Sequence, residues 1–437
     1  MPRVACDSLV ALRGVTADGT VLFAKNSDRP AHECQPLLQV PRQVHGTGSH
    51  VRCTYIEIPQ VRETARLIGS RPFWSWGLEH GLNEHGVAIG NHTVFTKDTL
   101  GAVGLTGMDL VRLGLERSAT AEQAVRVMTG LIATHGQGGS GYHDKDWPYH
   151  NSFLIADRQA AFVLETSDRY WALRHVDGAA SVSNHLSIGD DWDEISTGAM
   201  AHAIAAGWWR AASDERFDFA AAYRDTSVAP EAISSGRLRR TRALLDERKG
   251  MISVALLRAA LRDHYGQVEP GYNCTPADPQ YFSVCMHAEP VGTTTASLIA
   301  RIPPRSDGPL TYWASLGAPC VGAFIPLYVD GDLPAVLSRG GERPADDSPW
   351  WMFRRLLVQV EQDWARRAPH VRQRLDQFEA DVAKRMQAVD TASSPAAARA
   401  AFMEATVAEL LTHVRCLTAE WAGAEGAGED GQEKRVQ

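Results

Sequence analysis

Many of the β-strand-like segments of this chain are hydrophobic on both faces, and this pattern restricts the fold more than any other feature of the sequence. A strand that is apolar on both faces belongs to a sheet that is covered on both sides. The sequence therefore predicts stacked layers. The segments in the first half of the chain with a strand pattern are 7–12, 20–24, 53–61, 86–95, 152–157 and 160–167.

Helix-like segments lie between the strand blocks. In GMDLVRLGLERSATAEQAVRVMTGLI the apolar residues recur at helical spacing, and Thr120 with Gln123 predicts a capping box at the start of a second helix. GRLRRTRALLDERKG and SVALLRAALRDHYG predict two more helices, and a second group of strands follows up to Val329. Alternating blocks of this kind favour a layered core of the α/β or α+β class.

The sequence changes character after Val329. A polar linker, RGGERPADDSP, ends in Ser348 and Pro349, which are typical N-cap and first-turn residues of a helix. The following helical segments each have one apolar face, which predicts docking onto the main domain or onto a second copy of the chain. The final residues, AGAEGAGEDGQEKRVQ, have the composition of a disordered tail.

The charge and composition of the chain limit the classes of molecule that it is expected to bind. The formal net charge is -8 and the sequence pI is about 6.1, so no basic surface is expected and the sequence predicts neither a nucleic-acid nor a membrane partner. No apolar run approaches the roughly 20 residues that span a bilayer. The seven cysteines form no CxxC pair, which favours a reduced, cytoplasmic protein.

Cys6 is the strongest candidate for chemistry. If residues 1–5 were a removable leader, Cys6 would carry a free α-amine, whose pKa of roughly 8 suits it as the base for its own thiol. The Asp18-Gly19 pair predicts a hairpin that returns the chain towards Cys6, where Asp28 could orient the amine and Lys25 could favour the thiolate. The alternative is a buried cysteine on a first strand, with NSDR as a turn.

The chain resembles the secernins, in the cysteine dipeptidase group of N-terminal nucleophile hydrolases. The resemblance rests on segments that run in order from Cys6 to about residue 300, among them AKNSDRP, CTYIEIPQV, SRPFWSWGLEHGLNEHGVAIGN, HGQGG, YHNSFLIADRQAAFVLET, SSGR and TTTAS. It implies an α+β fold, a four-layer αββα sandwich with a C-terminal helical extension. The domains that follow are a leader 1–5, a hydrolase domain 6–338, a helical region 339–421 and a disordered tail 422–437.

The resemblance also implies roles for single residues. Cys6 would be the nucleophile, and Lys25 would stand where the related hydrolases have an arginine. An amide such as Asn184 beside a backbone N–H could hold the oxyanion of a tetrahedral intermediate. Arg237 would steady Asp28 or Cys6 through a network. The predicted catalytic residues are Cys6, Asp28, Asn184, Arg237 and Lys25, and the predicted substrate-binding residues are Asn91, Trp76 and His287.

Other histidines and cysteines give weaker signals. His135, His143, His150 and His287 show no paired ligand spacing, so the sequence predicts no metal site and no cofactor. Cys285 and His287 lie on one face of a predicted strand, either as a thiol with its base or as part of the core or a pocket wall.

Three functions remain open at this point. The first is hydrolysis of a small amide or dipeptide through a Cys6 thioester. The second passes the acyl group of the same thioester to an amine. The third is a non-catalytic, secernin-like scaffold, which an uncleaved MPRVA segment would support because Cys6 would then lack its amine. Homo-oligomerisation through the C-terminal helices is a further expectation.

Overall fold

A computed structural model describes residues 5–210, 215–228, 232–267, 269–271, 281–289, 291–390 and 396–425 of the 437. Its strands pair antiparallel throughout. In chain order they are β1 (Ala5–Ala11), β2 (Val21–Arg29), β3 (Leu37–Val40), β4 (Gln43–Val44), β5 (His50–Arg52), β6 (Glu57–Pro59), β7 (Glu63–Thr64), β8 (Leu67–Ser70), β9 (His80–Asn83), β10 (Ala88–Val94), β11 (His150–Ala156), β12 (Ala161–Ser167), β13 (Tyr170–His175), β14 (Ala179–Val182), β15 (Glu194–Ile195), β16 (His287–Ala288), β17 (Gly292–Ile302), β18 (Thr311–Leu316) and β19 (Ile325–Tyr328).

The strands form two large sheets. Sheet I has the order β14-β1-β2-β17-β18-β19, with β16 also paired to β17, and sheet II has the order β15-β13-β12-β11-β10-β9-β8-β3. The sheets face each other, and a side-chain hydrogen bond of 2.7 Å joins Ser8 Oγ of β1 to His92 Nε2 of β10. The N-terminal strand β1 is an interior strand of sheet I, since it is hydrogen-bonded to β2 on one side and to the edge strand β14 on the other.

Helices cover the outer faces of both sheets. The α-helices of the described residues are α1 (Gly107–Arg117), α2 (Ala121–His135), α3 (Ala199–Ala205), α4 (Phe219–Tyr223), α5 (Ala232–Asp246), α6 (Val254–Leu261), α7 (Pro349–Glu361), α8 (Trp364–Val389) and α9 (Ala396–Glu425). Helices α1 and α2 pack on sheet II, whereas α5 and α6 pack on sheet I. This arrangement confirms the predicted αββα sandwich. No helix among the described residues has the length and apolar character needed to cross a membrane.

The C-terminal helices share the core of sheet I. Buried residues of α7, α8 and α9 belong to the same apolar cluster as β17, β18 and β19. Glu379 of α8 is buried and pairs with Arg262 at 2.5 Å and Arg258 at 3.1 Å, and it accepts a hydrogen bond from the Phe324 backbone N–H. Helix α9 extends to Glu425, past the predicted start of the tail at residue 422, and residues 426–437 lie outside the described part of the chain.

One local prediction differs from the structure, and a second is confirmed with a longer loop than a tight turn. The segment 53–61 contains only the three-residue strand β6, because residues 53–56 form the turn between β5 and β6, closed by a hydrogen bond of 2.8 Å from the Cys53 N–H to the Ile56 carbonyl oxygen. The hairpin that contains Asp18 and Gly19 is confirmed, but nine residues connect β1 to β2, from Leu12 to Thr20.

Gly77 is expected to be intolerant of any side chain. A Cβ at Gly77 would lie 2.1 Å from the backbone carbon of Met108 and 2.3 Å from the backbone nitrogen of Asp109, so α1 would have to move. We expect Gly77→Ala to lower the free energy of unfolding by about 2 kcal/mol or more. Urea unfolding measures this. The matched control is Gly130→Ala on the exposed face of α2, which has open space and should gain roughly 0.5–1 kcal/mol. Equal stabilities of the two variants would contradict the packing described.

Candidate active site

Cys6 lies near the start of β1, buried, directly opposite Ser27 of β2. Its backbone N–H donates to Asn184 Oδ1 at 2.7 Å. Asn184 follows β14, the other neighbour of β1, so the pairing of three strands brings the amide to the Cys6 nitrogen. The structure therefore places a hydrogen-bond acceptor at the nitrogen that would become an α-amine if the Ala5–Cys6 peptide bond were cut.

Arg237 of α5 connects this amide to a buried carboxylate. Its guanidinium donates to Asp7 Oδ2 at 2.5 Å and to Asn184 Oδ1 at 2.8 Å, and its side chain is fully buried. The Asn184 Nδ2 group donates to the Thr93 carbonyl oxygen at 3.0 Å. The amide oxygen of Asn184 is thus held towards Cys6, while its N–H faces a carbonyl.

This geometry changes the role predicted for Asn184. An oxyanion needs N–H donors, and the Nδ2 group of Asn184 is already bonded to Thr93 of the facing sheet. The oxygen of Asn184 accepts from both Cys6 and Arg237. The Asn184 oxygen thus connects the Cys6 nitrogen to the Arg237 guanidinium.

Asp28 ends the same cluster on β2. Its Oδ1 accepts from Thr294 Oγ1 at 2.6 Å, and its Oδ2 is buried with no hydrogen-bond partner among the described residues. Asp28 pairs in register with Ala5, so its carboxyl group belongs to the end of β2 beside the Ala5–Cys6 peptide. Burial raises the pKa of Asp28 to about 7, although the charge of Arg237 acts in the opposite direction.

The thiol of Cys6 is not self-activated in this form of the chain. Burial raises its pKa to about 11, while the charge of Lys25 and a hydrogen bond from the Asp28 backbone act to lower it. At neutral pH the thiol is therefore protonated, and it must pass its proton to a base or to the leaving nitrogen when it attacks a carbonyl carbon.

Lys25 lies between the two sheets. Its side chain is fully buried, and its Nζ is 3.7 Å from Glu79 Oε2 and donates to the Asn26 carbonyl oxygen at 3.3 Å. A Cβ on Gly90 of β10 would be 2.5 Å from Lys25 Cδ, so the glycine leaves room for the lysine stem. Asn91 enters the same network when its amide nitrogen faces Glu79, to which it donates at 2.8 Å (Oε2) and 2.9 Å (backbone oxygen).

Arg29 and Glu79 are the polar residues that the sequence did not single out. Arg29 is buried, pairs with Glu33 at 2.6 Å and Glu79 at 3.5 Å, and lies 4.6 Å above the ring of Tyr142. It also donates to Tyr149 Oη at 3.3 Å. Arg29 directly follows Asp28 in the segment AKNSDRP, so its position next to a predicted catalytic residue could have identified it as part of the site. No sequence feature identified Glu79, because its contact with Lys25 forms only when the two sheets stack in the folded chain.

The two remaining predicted substrate residues lie elsewhere. Trp76 packs in the outer cluster between sheet II and its helices, with the Arg112 guanidinium 4.0 Å from its ring centre. His287 of β16 lies with cysteines, its Nε2 being 3.3 Å from Cys320 Sγ and 3.6 Å from Cys285 Sγ. The structure groups Cys6, Asp28, Asn184 and Arg237, with Lys25 and Asn91 in the adjoining network of sheet II.

Asp28 is expected to make stability depend on pH. The pKa of Asp28 is about 7 in the folded chain, against an ordinary value of 3.8 for an aspartate, so the folded state binds this proton more tightly than the unfolded state does. Its contribution is complete below pH 3.8 and is lost as the pH rises towards about 7, at up to roughly 1.4 kcal/mol per pH unit. Asp28→Asn should flatten this part of the profile of unfolding free energy against pH. Asp177→Asn, an exposed site, should not; identical profiles for both variants would contradict the assignment.

Comparison with known proteins adds little at the level of sequence. No family model matches the chain. Two variants of a conjugated bile acid hydrolase from Clostridium perfringens match with 12% and 14% identity and TM-scores of 0.40 and 0.41, each match covering 70% of this chain and 88% of the other. The Caenorhabditis elegans ortholog of N-acylethanolamine-hydrolyzing acid amidase matches with 11% identity and a TM-score of 0.34, over 69% of this chain and 94% of the other. Matches at this level support no conclusion about activity.

Proposed function

We propose that this chain is an N-terminal nucleophile amidohydrolase in which Cys6, freed of residues 1–5, attacks the carbonyl carbon of a small amide or dipeptide. The observation that carries the proposal is the bond of 2.7 Å from the Cys6 backbone nitrogen to Asn184 Oδ1, within a network that Arg237 holds in place. Any buried backbone N–H needs an acceptor, but this acceptor is a side-chain amide that a fully buried guanidinium also holds, which suits a nitrogen that becomes a free amine. A nucleophile whose base is its own amine requires such a nitrogen.

The first step would be cleavage of the leader. Cys6 Sγ attacks the Ala5 carbonyl carbon, the bond to the Cys6 nitrogen breaks as that nitrogen takes up the thiol proton, and water hydrolyses the resulting thioester. An external protease acting between Ala5 and Cys6 would give the same product. Either route creates an α-amine that Asn184 Oδ1 already faces. Asp28 Oδ2 is a buried oxygen that could accept a second hydrogen bond from this amine.

Catalysis would then use the new amine. With a pKa of roughly 8 in a model peptide, an α-amine is a suitable base for the Cys6 thiol near neutral pH, and the positive charge of Lys25 favours the thiolate. The thiolate forms a thioester with the acyl part of the substrate, the amine donates its proton to the leaving nitrogen, and water completes the reaction. Asn184 and Arg237 are positioning residues in this scheme.

The environment of Cys6 favours a small, polar substrate. Arg29 donates to Tyr149 Oη at 3.3 Å and pairs with Glu79 at 3.5 Å, and the thiolate form of Cys6 acts on the same buried phenol. Burial raises the pKa of Tyr142 and Tyr149 well above the usual value, so both phenols keep their protons and remain hydrogen-bond donors. Polar donors beside buried charged residues suit the carbonyl and amine groups of a dipeptide better than a long apolar chain.

The test is direct hydrolysis by purified, leader-free protein. A panel of dipeptides and short N-acyl amides is incubated with the enzyme, and release of free amine is measured by mass spectrometry in the absence and presence of an added acceptor amine. Amine release without an acceptor supports hydrolysis, whereas product formed only with the acceptor supports acyl transfer. Cys416→Ser, on the exposed side of α9, is the matched cysteine control and should keep full activity.

A further inference from the structure

A second chemical cluster shares no residue with the Cys6 site. Two histidines and two cysteines meet at one point in sheet I: His264 after α6, Cys285 and His287 at β16, and Cys320 between β18 and β19. One ligand atom from each, two sulfurs and two ring nitrogens, can be chosen so that all four lie within 4.8 Å of one another. We propose that His264, Cys285, His287 and Cys320 bind one structural Zn²⁺ ion.

The distances in the cluster suit zinc. Bond lengths of about 2.3 Å to sulfur and about 2.0–2.1 Å to nitrogen, set at tetrahedral angles, place a sulfur and a nitrogen ligand roughly 3.5 Å apart. His287 Nε2 is 3.6 Å from Cys285 Sγ and 3.3 Å from Cys320 Sγ. Both distances agree with a shared ion, and all four chosen ligand atoms lie within 4.8 Å of one another.

The donor set selects the ion class. Two thiolates and two neutral imidazoles form a common ligand set of structural zinc sites, whereas Mg²⁺ and Ca²⁺ require oxygen ligands. Two thiolates also balance the double charge of Zn²⁺, so the occupied site is neutral where three of its four residues are buried. Since all four ligands come from the protein, no position is left for a reacting molecule, which points to a structural rather than a catalytic ion.

One ring nitrogen of His264 is unpaired within the described part of the chain. His264 Nε2 is buried and makes no hydrogen bond to any described residue. A buried ring nitrogen of this kind costs free energy unless it is paired. Coordination of the ion by either nitrogen of this ring would hold the imidazole in place, and coordination by Nε2 would satisfy the unpaired atom directly.

The surroundings of His287 match those of zinc-bound histidines. Its Nε2 faces the sulfurs, and its Nδ1 is 3.7 Å from Glu361 Oε1, so a carboxylate can fix the ring orientation from the other side. Trp364 packs edge-on against both imidazoles, with ring centres 5.7 Å from His287 and 6.1 Å from His264. Arg372 donates to the Cys320 carbonyl oxygen at 3.2 Å. The ion would therefore tie the C-terminal helices to sheet I.

The cluster is also connected to Asp28. Met286, between two of the ligands, donates its backbone N–H to Thr294 Oγ1 at 2.8 Å, and Thr294 Oγ1 donates to Asp28 Oδ1 at 2.6 Å. Zinc at Cys285 and His287 would fix the segment that holds this threonine. The ion would thus help to position the Asp28 carboxylate, because two hydrogen bonds connect the backbone of Met286, between two ligands, to Asp28.

The sequence predicted no metal site because these four residues show no recognised ligand spacing along the chain. His264 lies 21 residues before Cys285, and Cys320 lies 33 residues after His287. The pairing of β16, β17 and β18 brings the Cys320 segment near, and a hydrogen bond of 3.1 Å from the Cys285 N–H to the Asp263 carbonyl oxygen brings His264 near. His287, predicted to bind substrate, is assigned here to the ion.

The test measures metal in the full-length protein purified without chelators. Elemental mass spectrometry should find about one zinc per chain in the wild type, in Cys6→Ala and in Cys416→Ser, and less than about a tenth of that in Cys320→Ser. Because zinc binding in Cys6→Ala does not depend on hydrolysis, this result is separate from the test of the proposed function. Wild-type protein that binds no zinc, or zinc retained fully by Cys320→Ser, would overturn the proposal.

A second measurement covers the case in which Cys320→Ser does not fold. Wild-type protein stripped with a chelator is titrated with Co²⁺, which should give the absorption of a tetrahedral thiolate site at one equivalent, and Zn²⁺ should displace it. Alkylation followed by peptide mapping should label Cys285 and Cys320 only in the stripped protein. A Cys285–Cys320 disulfide in the purified protein, or a cobalt spectrum without thiolate charge-transfer bands, would contradict the assignment.

Discussion

Replacing Cys6 with alanine is expected to abolish amide hydrolysis while leaving the fold intact. The thiol is the only atom in the proposed scheme that bonds to the acyl carbon, and loss of such a nucleophile lowers kcat by roughly 10⁴-fold or more. The Cys6 side chain is small and buried, so truncation to alanine removes one sulfur from the site without opening a large cavity. Hydrolysis of the best substrate of the panel, measured on protein of unchanged circular dichroism, gives the result.

Two companion variants sharpen this test. Cys6→Ser keeps a weaker nucleophile and should retain more activity than Cys6→Ala, though far less than the wild type. Cys416→Ser should match the wild type. If Cys6→Ala hydrolysed the substrate at the wild-type rate, the nucleophile would lie elsewhere and the scaffold hypothesis would gain over the enzyme.

Replacing Arg237 with methionine is expected to cost about 3–5 kcal/mol of stability, because it leaves the Asp7 carboxylate buried without its cation. The two side chains are almost fully buried, joined at 2.5 Å, and Asp7 Oδ1 has no hydrogen-bond partner among the described residues. The charge of Arg237 also lowers the pKa of Asp28, so its loss should raise that pKa further. Chemical denaturation measures the first effect.

The control for this prediction is a double variant. Arg237→Met combined with Asp7→Asn removes both charges, and we expect it to be more stable than Arg237→Met alone because no unpaired carboxylate remains. A double variant as unstable as the single one would show that Arg237 acts through packing, and the buried ion pair would then have no measurable energetic role.

Short-range patterns were enough to predict the layers and the position of Cys6. Apolar strands, the turn at Asp18-Gly19 and the amphipathic helices are local features, and β1 and β2 pair much as the turn predicted, with Ser27 opposite Cys6. The N-cap at Ser348 is confirmed as well, since its hydroxyl accepts from the Trp351 N–H at 3.4 Å. Local chemistry decides these features, so the sequence carries them directly.

The roles of side chains depend on contacts that sequence does not encode locally. The direction of the Asn184 amide is set by Thr93 on the other sheet and by Arg237 on α5, so its oxygen faces Cys6, whereas the predicted oxyanion role needs its N–H. The pairing of Lys25 with Glu79 and the meeting of His264 with Cys320 likewise follow from stacking and strand order. Residues 1–4, which include most of the predicted leader, lie outside the described part of the chain.

The most direct test of the account is the intact mass of the purified wild-type protein, compared with that of Cys6→Ala. The proposed mechanism predicts a wild-type chain that begins at Cys6, with an α-amine that reacts with amine-specific reagents, and a Cys6→Ala chain that keeps residues 1–5 if cleavage is autocatalytic. Removal of the leader from both chains would assign the cut to an external protease and keep the mechanism. A folded, active wild-type protein that retains residues 1–5 would contradict it, because Cys6 would then have no amine to act as its base.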